Sequence, residues 1–234
     1  MEVGQREFGD LRLPDDEGAR GRRDEQHPVD PDPRHLPPHG ALSALSARLP
    51  RVRVDVTEAE PPDVFTALDT GRLDLVIAVD FAATPPHTDR RYVRTDLLTD
   101  ILDVALPPDH HLAHADRVAL RDLATDPWLV GDPRSCCGAV TRSVSAAAGF
   151  TPDIRHAVND WSALTALVEA GTGVALVPRL LHPLHRTLHL RPTTGEPPSR
   201  NIFAAVRTGS ESDAVLDAVL EELRTAAGRR SGAA

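Results

Sequence analysis

The stretch from Val158 to Pro178, VNDWSALTALVEAGTGVALVP, constrains the fold more than any other part of this 234-residue chain. Asp160 is placed to cap a helix, and apolar residues follow it at helical spacing until Gly171 and Gly173. The apolar run after Gly173 predicts a short strand that is covered on both faces, as in a parallel sheet. The pattern therefore predicts a strand, a helix, a tight glycine turn and a second strand.

In sheets of this kind, ligands bind where strands end and helices begin. Those positions here are Asn159 to Ser162 at the start of the predicted helix, with Asn159, Asp160 and Trp161 as the best candidates, and Val177 to Arg179, which includes Pro178, at the exit of the following strand. Two alternatives stay open, because Asp160 also fits a role as a helix cap alone and Trp161 a role in core packing alone.

The same alternation of strand and helix extends along the chain from residue 36. Apolar patterns predict helices within 36–50 and 61–71, and strands over 52–57 and 73–79. Further strands are predicted over 100–106, 128–131 and 153–158, a helix between Gly138 and Ala148, and a final amphipathic helix over 212–226. Repeated βα units predict an α/β fold.

Several of these segments resemble, in order, the effector-binding domain of LysR-type transcriptional regulators. The matching motifs are DWxxLxxLVxxGxGVALVP at 160–178, LxxGxLDLVI at 68–77, and PPDHHLA at 107–113, which has His111 where the family usually has proline. The resemblance covers roughly residues 36–225. It implies two Rossmann-like α/β lobes with a hinge and an interlobe cleft, a fold of the periplasmic-binding-protein type II class.

Mapped onto this sequence, the resemblance implies that lobe I comprises 36–95 and 162–226, and lobe II comprises 96–161. Residues 1–35 are expected to be disordered or degenerate, because 14–35 are rich in Pro, Asp, Arg and Gly, and residues 227–234 are expected to form a disordered tail. Within the first segment, Gly9–Leu13 resembles a remnant of the domain's first strand.

The resemblance implies a small-molecule sensor for transcriptional control. The winged helix-turn-helix that the family carries before this domain has no counterpart in residues 1–35, so we expect a sensor without its own DNA-binding half. Two alternatives stay open, a free-standing solute-binding protein of the same fold and a truncated remnant without function.

Composition and missing motifs narrow the function further. The net charge of −9 argues against DNA binding by this chain, because phosphate contacts need concentrated positive charge. The sequence contains neither a nucleophile elbow nor a phosphate loop, so we expect no enzyme and no cofactor. An apolar run long enough to span a membrane and a secretory signal are also missing, which predicts a cytoplasmic location.

The two cysteines, Cys136 and Cys137, are neighbours, so neither a disulfide framework nor a zinc site is indicated. With Arg134 and Ser135 they precede a predicted helix, whose free N–H groups favour an anion. An ordinary helix start and a redox-sensing thiol are the alternatives for this segment. His110 and His114 are four residues apart, as metal ligands on a helix would be, but their segment matches a turn and predicts a solvated loop.

The predicted effector is a small carboxylate or an aromatic acid, although Asp160 would repel an acid unless its carboxylate caps the helix. Two alternatives stay open, an effector that is cationic or neutral near Asp160, and an acid that pairs with the guanidinium of Arg134. The resemblance also implies a homodimer that pairs the helix near Leu42–Leu49 with Val140–Ala148 of a second copy, and the small apolar side chains of the second segment predict that this dimer is weak. The complete predicted set of ligand-binding residues is Asp80, Phe81, Arg134, Ser135, Cys136, Asn159, Asp160, Trp161 and Pro178.

Overall fold

The computed structural model describes residues 9–12, 38–48, 50, 52–59, 61–131, 135–184, 188–210 and 212–231. The disorder predicted for residues 14–35 concerns residues outside these ranges, and Arg134 lies outside them as well.

Helices and strands alternate along the described chain as the sequence patterns predict. The helices are Pro38–Arg48 (α1), Asp63–Asp69 (α2), Cys136–Ala147 (α3), Trp161–Glu169 (α4) and Ala214–Ser231 (α5). The strands are Gly9–Arg12 (β1), Asp55–Glu58 (β2), Leu75–Val79 (β3), Tyr92–Leu106 (β4), Pro127–Val130 (β5), Asp153–Ala157 (β6), Ala175–Pro178 (β7), His189–Arg191 (β8) and Ser199–Arg207 (β9). Short 3-10 helices occupy Leu120–Leu123 and Arg179–Leu184.

The described residues form two compact units. One, which we call the central unit, contains Val79–Ala82 and Thr99–Ile202, and the other, the flanking unit, contains the remaining described residues. Strands β4 and β9 each begin in one unit and end in the other, as two lobes joined by two strands require. The lobe limits differ from those expected, because residues 162–202 belong with 99–161 and not with the first lobe.

In the flanking unit, the strands follow the order β2-β1-β3-β9-β4. Strand β1 pairs antiparallel with both β2 and β3, so the segment predicted as a remnant of the first strand does form one. Helix α2 turns Val64, Phe65 and Leu68 into a core that also contains Tyr92 and Phe203. Helices α1 and α5 lie against each other in this unit.

In the central unit, β5 and β6 pair in parallel, whereas the second half of β4 pairs antiparallel with β7. The apolar run is typical of a parallel sheet, whereas β7 pairs antiparallel with β4, and the strand is fully buried as predicted. A parallel bridge between Trp128 and Val174 connects the start of β7 to β5. Strand β7 is thus parallel to one neighbour and antiparallel to the other.

The glycine turn before β7 is required by close packing. A methyl group at Gly173 would lie 2.6 Å from Leu129 Cδ1 and closer still to the carbonyl oxygen of Pro127, so only glycine fits here. Gly171 ends α4 with a positive φ of 80°, as the sequence predicts for a helix C-terminus.

Two predicted boundaries are wrong. Helix α5 continues to Ser231 and does not give way to a disordered tail after Ala226, because the small side chains of Ala226 and Ala227 extend its buried face. Strand β4 begins at Tyr92, eight positions before the predicted start at Asp100, because polar residues interrupt its first half and leave no apolar run there. In the part of the chain that the structure describes, no helix is long and apolar enough to cross a membrane.

Candidate functional site

The parallel strands β5 and β6 end at the same edge of the central unit, and each is followed by a helix. Val158 N–H donates to Val130 O at 2.8 Å, which continues the pairing beyond the end of β6. A methyl group at Gly131 would lie 3.0 Å from Ser135 Oγ and 3.6 Å from Asn159 Oδ1. Ser135 and Asn159, which are 24 positions apart in the sequence, therefore converge beside Gly131.

Each of the two helices that begin at this edge is capped by the side chain of the residue immediately before it. Ser135 Oγ accepts a hydrogen bond from Gly138 N–H at 3.2 Å and caps α3. Asp160 Oδ1 accepts one from Ala163 N–H at 2.8 Å and caps α4. The first cap is a neutral hydroxyl group and the second is a carboxylate, so the two helix starts present different electrostatics at the same edge.

Burial also differs between the two helix starts. Ser135, Cys136 and Cys137 are 8%, 2% and 4% exposed, and the two cysteines form no disulfide. Asp160 and Trp161 are half-buried, and the Trp161 ring packs against the core of the central unit. Trp161 thus has the packing role that the sequence left open, together with a partly accessible surface.

The exit of β7 carries a further polar contact. Pro178 is buried, and Arg179 donates from Nε and Nη2 to the two carboxylate oxygens of Asp103 at 2.8 and 2.9 Å. These bonds raise the pKa of Arg179. His182 Nε2 lies 3.6 Å from Asp103 Oδ2, and burial lowers the pKa of this imidazole.

A buried ion pair lies next to these segments, and the sequence analysis did not identify it. Arg200 Nε and Nη2 both lie 3.1 Å from Asp100 Oδ2, and the two side chains are only 3% and 1% exposed. Asp100 Oδ1 accepts Leu180 N–H at 3.2 Å, and Arg200 Nη1 lies 3.5 Å from Cys137 Sγ. Burial raises the pKa of Asp100, whereas Arg200 and the Leu180 N–H act in the opposite direction.

Asp80 and Phe81 follow β3 and belong to the central unit with the other predicted residues. Asp80 N–H donates to Asn201 O at 2.8 Å, and Asn201 Oδ1 accepts a hydrogen bond from Thr99 Oγ1 at 2.9 Å. The backbone of Asp80 is thereby attached to β9 one residue after Arg200. The structure brings Ser135 and Asn159 together directly, whereas Asp80 and Pro178 connect to them through β4, β7 and β9.

His110 and His114, which are four residues apart in the sequence, each make a contact with a different side chain. His110 Nε2 lies 3.2 Å from Asp126 Oδ1, and Leu112 N–H donates to His110 Nδ1 at 3.1 Å, so this ring is held within the turn and is less solvated than predicted. His114 instead packs edge-on against His189. No group of three or more potential metal ligands is present among the residues that the structure describes.

Comparison with known proteins identifies the family to which this chain belongs. The family model of the LysR substrate binding domain matches residues 29–228, and the chain belongs to this family. The HTH-type transcriptional regulator MetR of Salmonella typhimurium is 29% identical over 186 residues, which cover 79% of this chain and 57% of that protein. The chain thus spans little more than half the length of such curated relatives.

Solved structures give the same fold. The C-terminal domain of a probable LysR family transcriptional regulator from Rhodococcus sp. RHA1 matches with a TM-score of 0.65 and 25% identity, over 78% of this chain and 89% of that one. The BenM effector binding domain with its effector benzoate matches with a TM-score of 0.71 and 22% identity, over 82% and 86% of the two chains. The fold is therefore the periplasmic-binding-protein type II-like fold of LysR effector-binding domains.

Proposed function

We propose that this chain is the effector sensor of a LysR-type regulator, and that the effector binds against the starts of α3 and α4. The observation that carries the proposal is the convergence of Ser135 and Asn159 beside Gly131, where two parallel strands end and two helices begin. Such edges present backbone N–H groups and polar side chains to a ligand.

The effector is proposed to be a small carboxylate or an aromatic acid. Its acidic group faces the start of α3, whose cap is the neutral hydroxyl of Ser135 and whose preceding residue is Arg134. The carboxylate of Asp160 instead accepts the Ala163 N–H and already offsets the positive end of α4. An aromatic ring would lie on the Trp161 side, which makes benzoate, the effector of BenM, a suitable first probe.

The remaining predicted contacts complete the proposed site. On the α3 side, Arg134 and Cys136 accompany Ser135, and on the α4 side Asn159 lies beside Asp160 and Trp161. Asp80, Phe81 and Pro178, which follow β3 and end β7, are proposed to border the same site.

The experiment is a calorimetric titration of the purified chain with benzoate and a panel of small aliphatic and aromatic acids. Ser135→Ala, Asp160→Asn and Trp161→Ala are the test variants. Ser143→Ala is the matched control, because Ser143 is an exposed serine on the same helix α3. We expect a bound acid to lose about tenfold in affinity with Ser135→Ala and nothing with Ser143→Ala, which corresponds to one charge-assisted hydrogen bond of about 1.4 kcal/mol. Parent-like affinity in all three test variants would place the effector elsewhere.

We further propose that the chain acts in the cytoplasm as a regulator, has no enzymatic activity and makes no specific DNA contact of its own. The net charge of −9 supports the last point, since binding to phosphates needs a positive surface. Saturable, sequence-dependent retardation of DNA by the purified chain at physiological salt would contradict it.

A weak homodimer that pairs α1 of one copy with α3 of the other is also proposed. Leu45 of α1 is only 2% exposed within a single copy, so few apolar side chains of this helix remain for a partner. The exposed face of α3 offers Arg142, Ser143, Ala146 and Ala147, which are small apart from the charged arginine and include no large apolar side chain. Sedimentation over a range of concentrations tests this, and a monomer throughout that range would reject it.

A further inference from the structure

We propose that Asp100 and Arg200 are positioning residues for the effector site, because their buried pair holds the start of α3 and the exit of β7 in place. The inference rests on the proposed function, since it assigns a role in the same site. Two charges that are buried to this degree destabilise the fold unless their contacts are good. Apolar pairs often replace such buried charges without loss of stability.

The contacts of the pair show what it holds. Its carboxylate accepts the backbone N–H of Leu180 at 3.2 Å, two residues after the end of β7. Its guanidinium lies 3.5 Å from the thiol of Cys137, in the first turn of α3. Both segments flank the proposed site, and they are 43 positions apart in the sequence.

A third segment, which follows β3, is connected to the pair through Asn201, the residue after Arg200 in β9. Asn201 accepts the backbone N–H of Asp80 at 2.8 Å, and its side chain is bonded to Thr99, the residue before Asp100. Residues 99–100 and 200–201 therefore connect β3, β7 and the start of α3. Since the guanidinium is planar and has several fixed N–H groups, it can contact Asp100 and Cys137 at the same time.

The pair lies beneath the site and is not a ligand contact itself, because both side chains are almost fully buried. Its role is to set where Ser135 and Cys136 stand. Removal of the pair should therefore loosen the start of α3 even when the overall stability of the chain is kept.

The test uses the full chain and the double variant Asp100→Leu/Arg200→Met, which replaces the two charges by apolar side chains of similar length. Hydrogen exchange of the backbone amides is measured together with the alkylation rates of Cys136 and Cys137 by iodoacetamide. The Leu180 amide loses its acceptor in this variant whatever the role of the pair, so its faster exchange only verifies that the pair is gone.

We expect the melting temperature to stay close to that of the parent, whereas the amides of residues 138 and 139 exchange at least about tenfold faster and both thiols react faster. Arg207→Met is the control, because Arg207 donates to Leu68 O and Leu73 O in the flanking unit and its loss destabilises the chain away from the site. Parent-like exchange at residues 138 and 139 and parent-like alkylation in the double variant would overturn the proposal.

If the double variant does not fold, the single variant Arg200→Lys tests the positioning role instead. Lysine keeps the charge beside Asp100, but its single ammonium group cannot also contact Cys137 as the guanidinium does. The same loosening of α3 is then expected while the Leu180 amide stays protected. Parent-like behaviour of α3 in this variant would overturn the proposal equally.

A second readout uses benzoate as the probe. If the parent binds benzoate, Arg200→Lys should bind it about tenfold more weakly, and equal affinity would overturn the positioning role. If the parent binds neither benzoate nor another acid of the panel, the proposed function fails, and the exchange and alkylation results still decide whether the pair positions α3.

Discussion

The starts of α3 and α4 lie at the same sheet edge, yet different kinds of side chain accept hydrogen bonds from their free N–H groups. Helix α3 begins in a buried place with the neutral hydroxyl of Ser135, whereas α4 begins half-exposed with the carboxylate of Asp160. Water can replace a lost cap at the exposed helix start but not at the buried one. Under the proposed function the two starts have different roles, in which α3 keeps its positive end for the effector and the carboxylate of Asp160 offsets that of α4.

The largest effect on stability is expected from Ser135→Ala. Loss of the cap at a buried helix start should lower the free energy of unfolding by about 2 kcal/mol, at the upper end of the range for such caps. Chemical denaturation measures this, with Ser143→Ala as the exposed control on the same helix. If Ser135→Ala costs no more than the control, burial does not distinguish the two starts.

A smaller effect is expected from Asp160→Ala. The same loss at a half-exposed start should lower the free energy of unfolding by about 1 kcal/mol, because water can bond the freed Ala163 N–H. The same denaturation series measures it. A cost larger than that of Ser135→Ala would reverse the comparison.

The sequence allowed this pair of caps to be predicted in part. Asp160 precedes a regular apolar pattern, and both its capping role and the glycine turn after α4 follow from local spacing. Ser135 was predicted to precede a helix for the same reason. Local spacing does not contain the contacts between distant segments, so it does not show that Ser135 and Asn159 converge beside Gly131.

Other features escaped the sequence analysis for identifiable reasons. An apolar run shows that β7 is buried but not the direction of its neighbour, and β4 proved antiparallel to it. The partners Asp100 and Arg200 are 100 positions apart, so no motif joins them. The signal that was available is the presence of two acidic residues, Asp100 and Asp103, inside the otherwise apolar second half of β4.

The free-energy cost of burying a polar group in α3 can also be tested at a residue that does not cap the helix. Ser145 is fully buried in this helix, and its hydroxyl has no hydrogen-bond partner among the residues that the structure describes. Ser145→Ala should therefore raise the free energy of unfolding by about 0.5–1 kcal/mol, since it removes an unpaired polar group and favours the helix. Thermal unfolding is the measurement, and a clear destabilisation would show that the hydroxyl is stabilising after all.

The smallest expected effect on stability separates the contribution of the Asp160 charge from that of its hydrogen bond. Asp160→Asn keeps a good cap but removes the charge at the start of α4, which should cost about 0.3 kcal/mol at low salt. The difference should vanish in 1 M NaCl, because salt screens exposed charges. The cost of Ser135→Ala should not depend on salt, and a parallel salt dependence in both variants would contradict a neutral α3 cap.

The central claim is that an acidic effector binds where α3 and α4 begin. The most direct measurement is a nuclear magnetic resonance titration of the isotope-labelled chain with benzoate and the other acids of the panel, following every backbone amide. The account predicts saturable shifts that are largest at residues 136–138 and 161–163, and larger on the α3 side. Saturable shifts confined to other parts of the chain, or no binding by any acid of the panel, would contradict it.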